Sequence, residues 1–211
     1  MITNDPRLAW QLAFDDGKRS QLEVIIGRLE TGCDVQTGCK RNEPASRTAD
    51  YRHVVNCIDA LAPPVQWVGH YMNRQGAMSE RTASKIETMA ALSVAQLAQR
   101  SLPGFPQWSE ERQQLLYYVA MAALRRTWIL NFDQPEVTDS KGRSMGARLD
   151  KQAFVSRYVE WRAGRKVDKT HWAREWSKAW DILLHIVDFL DAEGVDAVSS
   201  AIGAKQKVAN A

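Results

Sequence analysis

Four side chains with metal-ligating chemistry stand at suggestive spacing: Cys33, Cys39, His53 and Cys57, in the order C-x5-C-x13-H-x3-C. Zinc takes thiolate and imidazole ligands at tetrahedral positions, and a loop pair joined to a helix pair can supply them, since His53 and Cys57 lie one helical turn apart. The first gap exceeds the usual spacing of about two to four residues, and no second C-x-x-C accompanies it. Zinc is therefore the single cofactor candidate, and none other is expected. Cys57, beside Val54 and Leu61, equally suits a small core residue.

Asp50-x-x-His53 and Asp168-x-x-His171 are the acid–histidine pairs. Both aspartates fall at expected helix starts, where a carboxylate complements the positive end of the helix dipole, and capping accounts for them without a metal. His70 and His185 have no acid or nucleophile at motif spacing. Gly-rich phosphate loops, G-x-S-x-G, H-E-x-x-H and Walker patterns are absent from the sequence. No linear signature marks an enzyme, although residues assembled from distant helices would leave none.

Charge carries the stronger signal. Residues 141–178 hold eleven basic against four acidic side chains, a net of +7 in a chain of net +3, which leaves −4 for the remainder. Such asymmetry suits a local anionic partner. The candidate contacts are Arg143, Arg148, Lys151, Arg157, Arg162, Arg165, Lys166, Lys169, Arg174 and Lys178. Contacts of this kind would hold phosphates of DNA or RNA with little sequence preference and strong dependence on salt. The bland alternative is a solvated charged face.

The segment Thr170–Trp180, THWAREWSKAW, interleaves three tryptophans with basic residues. At about 100° per residue, Trp172, Trp176, Trp180, Leu183, Val187 and Leu190 fall within an arc of roughly 80°. Arg174, Lys178, Asp181, His185 and Asp188 face the other way. Exposing three rings together would forfeit burial of about 150–250 Å² each, so the stripe reads as core, with the charges outward. Ile182 and Leu184 broaden the apolar surface further along, which suits either a central position or a subunit interface.

The elements that must position these groups are helical throughout, because apolar residues recur at threes and fours and no alternating runs appear. The expectation is an all-α fold: a single compact domain of about eight helices over residues 1–193, with a basic helical hairpin near its end and a frayed tail over 194–211. Asp5-Pro6 opens one helix, Ser20–Glu23 forms a capping box for a second running to about Gly32, and helix resumes near Thr48. Pro63-Pro64 interrupts, Ser79 and Ser109 cap two long helices, and residues 131–149 form a long polar connection. Two last helices are expected over 151–163 and 170–192. The connection GRKVDK between them is too long for a helix-turn-helix.

No run of residues is apolar and long enough to span a bilayer, and no signal peptide is recognisable, so a cytoplasmic location is expected. Two functions compete. One is a noncatalytic nucleic-acid-binding protein in a regulatory role, using the basic segment. The other is a protein-interaction adaptor, homo-oligomer or assembly subunit using the apolar last helix.

Overall fold

The computed structural model describes residues 3–14, 45–73, 79–132, 150–168 and 170–209, the side chains of 45–50 and 206–209 excepted. The helix expected over Ser20–Gly32 and the connection expected over 133–149 lie outside them. The chain is all-α, with eight α-helices, one 3-10 turn and no strand among the described residues. It divides into two compact units, Met1–Ile86 with Asp191–Ala211, and Glu87–Leu190.

In the first unit, α1 (Pro6–Phe14) starts where sequence predicts, with proline in its first position and the Asp5 carboxylate accepting from the Arg7 amide at 2.9 Å. Its inner face, Ala9, Trp10, Ala13 and Phe14, packs along α2 (Ala45–Asp59) and the buried Tyr51, Val54 and Ile58. Because α2 begins at Ala45 rather than near Thr48, Asp50 lies inside the helix and is not at its start. Ala45 and Arg47 are good helix formers, and nothing in their chemistry delays the first turn. Next, α3 (Pro63–Met72) uses its two prolines where no intrahelical donor is needed, and buries Val65, Val68, Tyr71 and Met72.

Trp10 is the centre of this unit. A Cβ at Gly69 of α3 would fall inside the indole's van der Waals envelope, and one at Gly194 would lie 3.2 Å from it. The indole N–H donates to His70 Nδ1 at 3.2 Å, and Phe14 meets the same imidazole edge-on with centroids 4.8 Å apart. Trp67 adds a third ring at 6.4 Å. Desolvation drives the His70 pKa down to about 3, so the imidazole is neutral. Arg7 closes the unit with a bidentate pair to the buried Asp191, at 3.1 and 2.5 Å, and also donates to Asn73 Oδ1.

The second unit begins within α4 (Glu80–Ser101), whose first turns belong to the first unit and are capped by Ser79, its hydroxyl accepting from the Thr82 amide at 3.2 Å. Within the unit it buries mainly small residues: Ala90, Ala91, Val94, Ala95 and Ala98. The sequence LPGFP ends it, with Gly104 at φ 69° leading into a 3-10 turn, Phe105–Gln107. Ser109 caps α5 (Glu110–Asn131), as predicted. Six consecutive residues of α5, Val119–Leu124, are buried, so this helix is enclosed on all sides and forms the core.

Against α5 packs α6 (Lys151–Ala163), capped by Asp150 and burying Phe154, Val155, Tyr158 and Val159. It stops at Gly164, where φ of 65° favours a residue without Cβ and the amide returns to the Glu160 carbonyl at 3.0 Å. The last predicted helix divides into α7 (Trp172–Glu175) and α8 (Ser177–Ala209), with Trp176 at φ −119° between them. Arg112 of α5 donates to the Glu175 carbonyl at this break, and a side chain entering the backbone ladder is a recognised cause of such kinks. The tail expected to fray beyond Gly194 is helical to Ala209, because Val198 and Ile202 are buried and anchor it.

Candidate nucleic-acid interface

The tryptophan stripe is core. Trp176 and Trp180 are buried with Leu183, Val187 and Leu190, and Trp172 is half-buried, while Arg174, Lys178, Asp181, His185 and Asp188 are exposed. Trp176 meets Trp108 edge-on at 5.8 Å, and the Arg112 guanidinium sits 3.5 Å from the Trp108 centroid and 5.5 Å from that of Trp176. Burial lowers the Arg112 pKa, yet the group's basicity is high enough to keep it charged. These rings and this arginine hold the break between α7 and α8 in place.

The ten basic candidates divide by position. Arg143, Arg148 and Lys169 lie outside the described residues. Lys151, at the start of α6, pairs with Asp181 of α8 at 3.2 Å, both side chains more than half exposed. Arg174 pairs with its neighbour Glu175 at 2.9 Å, and Lys178 is exposed beside an open cleft of about 570 Å³ lined by Ser101, Ala173, Asp181, Ile182 and Ile186.

Of the remaining four, Arg157 lies midway along α6, Arg162 is in its last turn, and Arg165 and Lys166 follow its end. Arg157 is half-buried, and Arg162 reaches Glu87 of α4 at 2.7 Å. Arg165 donates to Gln114 Oε1 at 3.1 Å, and the largely exposed Lys166 stands 3.8 Å from Glu160. Ser156 Oγ donates to the Val167 carbonyl at 3.4 Å, folding the connection back along α6. The pair Lys151–Asp181, exposed on both sides, is worth about 0–1 kcal/mol.

One residue at that end escaped sequence reasoning. Trp161 is 51% exposed, an uncommon position for so large a ring. Its position one turn beyond Arg157 was available as a signal, since R-x3-W-x3-R spans Arg157 to Arg165.

Of the four zinc candidates, His53 and Cys57, one turn apart on α2, lie within the described residues. Cys33 and Cys39 fall outside them, and the Cys57 thiol donates to the Ala197 carbonyl of α8 at 3.4 Å, with burial pushing its pKa up. No group of three His, Cys, Asp or Glu residues gathers as a metal site among the described residues. At the second acid–histidine pair, Asp168 accepts from the Thr170 amide at 2.7 Å and meets His171 Nδ1 at 2.9 Å. These hydrogen bonds, the backbone one foremost, hold the carboxyl below its usual range. It organises the turn before α7, with His171 as the N-cap of that helix.

No helix among the described residues is long and apolar enough to cross a membrane. Comparison with protein-family models, with curated proteins and with solved structures returns no match.

Proposed function

We propose that this is a noncatalytic nucleic-acid-binding protein that grips phosphates with the end of α6 and the connection that follows. The observation that carries the reading is the exposed Trp161 with the Arg162 guanidinium 5.3 Å from its ring, in the segment of highest positive charge, which also holds Arg157, Arg165 and Lys166. Each phosphate neutralised releases counterions, so affinity falls steeply with salt. The test is binding of labelled DNA and RNA across a salt series. Arg165→Glu with Lys166→Glu is the cleaner reversal, because Arg162→Glu would also set two carboxylates against each other at Glu87. Unchanged affinity in the double variant sinks the reading.

A second reading has its own support. Phe189 is 60% exposed on α8, and the half-buried Ile182 and Ile186 line the open cleft on the same helix. An apolar stripe of this kind suits a protein partner or a second copy of the chain. Light scattering of wild type and Phe189→Ser decides it: a monomer unchanged by the substitution removes the self-association branch.

A further inference from the structure

We infer that Trp161 is a base-stacking platform and that the partner of this surface is single-stranded nucleic acid; the inference rests on the nucleic-acid reading above and names its ligand class. The ring is exposed but not loose. Tyr158 meets it edge-on with centroids 5.6 Å apart at 76°, and the Arg162 guanidinium lies 5.3 Å from its centroid. Both of those side chains end on one carboxylate: the Tyr158 hydroxyl donates to Glu87 Oε1 at 3.1 Å and Arg162 Nη2 to Oε2 at 2.7 Å. Glu87 is itself largely buried. An indole fixed in advance loses little freedom when a ligand lands on it, which is what an affinity-bearing aromatic requires.

The surroundings decide the kind of ligand. Arg157 lies one helical turn before the ring, and Arg165 four residues after it, followed by Lys166. A ring with a guanidinium against it, in a segment rich in arginine and lysine, complements a polymer that alternates flat bases with anionic phosphates. An apolar protein surface would offer those cations nothing in exchange for water. Bases in a duplex already have both faces stacked, whereas a single strand offers free faces to an aromatic side chain. Stacking reads no base edge, so the preference is for strandedness and not for sequence.

The experiment titrates the full-length protein into fluorescein-labelled oligothymidylate, oligouridylate and a duplex of equal length, following anisotropy across a salt series. Both single strands are expected to bind more tightly than the duplex. Trp161→Ala should weaken single-strand binding by roughly 5- to 150-fold while leaving the salt slope unchanged. Trp161→Phe, which keeps a stacking face, should retain most of the affinity. Arg165→Ala with Lys166→Ala should instead flatten the salt slope, by about 0.7 for each phosphate no longer neutralised. Because Trp161 is exposed, its variants should melt close to wild type, checked by circular dichroism.

Salt-dependent binding that survives Trp161→Ala overturns the platform and leaves the nucleic-acid reading standing. Absence of oligonucleotide binding in the wild type at low salt overturns both. Self-association that disappears in Trp161→Ala, without any oligonucleotide binding, overturns both in favour of a protein contact.

Discussion

Each unit sets a basic side chain among aromatic rings, and the two outcomes are opposite. In the first, Trp10, Phe14 and Trp67 surround His70 and the imidazole is neutral, its pKa pushed down to about 3 by burial. In the second, Trp108 and Trp176 flank Arg112, which stays a cation and uses its charge against the ring faces. The contacts are similar; intrinsic basicity and access to water decide which form persists. Histidine loses its proton at modest desolvation cost, whereas guanidinium must be accommodated charged. The first unit therefore closes over a polar group it has neutralised. The second keeps Arg112 charged against Trp108 and Trp176, and Arg162 against the exposed Trp161.

The comparison is broken most directly at Trp10. Replacing it with alanine should cost about 3–5 kcal/mol, read as the loss in urea-unfolding free energy, because a large apolar surface is removed and a cavity is left in its place. A loss under about 1 kcal/mol would show that the first unit does not depend on this ring.

Acid sharpens the contrast next. A histidine whose folded pKa lies below its unfolded value leaves stability intact above about pH 6.5, and removes it as pH falls from there toward 3, because the unfolded chain takes up the proton first. From His70 alone the loss should reach roughly 3 kcal/mol by pH 4. His70→Leu should flatten that part of the profile, even at a cost in stability at neutral pH. A profile with the same slope in the variant would place the acid sensitivity elsewhere.

For the second unit, Arg112→Ala should destabilise by about 1–2 kcal/mol in the same urea measurement, since it removes the cation from between two rings and the donor from the Glu175 carbonyl. Arg112→Lys should recover only part of this, because ammonium lacks the planar fork. The smallest effect is expected at Lys151→Ala, within about 0.5 kcal/mol in thermal melts, because its pair with Asp181 is exposed on both sides. A large loss there would make that pair structural and take Lys151 out of any phosphate-binding set.

Sequence made the angular facts legible. The stripe of Trp176, Trp180, Leu183 and Val187, the outward Arg174 and Lys178, and the caps at Asp5, Ser79 and Ser109 all follow from local periodicity and local hydrogen bonding. Position along the axis was not legible. Trp161 projects within about 20° of the buried Phe154, and only its place in the last turn of α6 leaves it in solvent. Partners from distant sequence were equally hidden. Glu87 finds Arg162, Arg112 finds Glu175, and Asp191 finds Arg7 only once the chain is folded. The break at Trp176 and the anchored end of α8 have that same tertiary origin.

The slot that receives Trp10 has a genetic consequence. With the indole present, Gly69→Ala drives a methyl group into it and should destabilise the protein. In a Trp10→Ala background the space is vacant, and the same substitution should gain about 0.5–1 kcal/mol from better helix propensity and a stiffer unfolded chain. Gly69→Ala is thus expected to show sign epistasis: harmful or beneficial according to the residue at position 10, so that a large ring there and the bare backbone opposite can only be exchanged together.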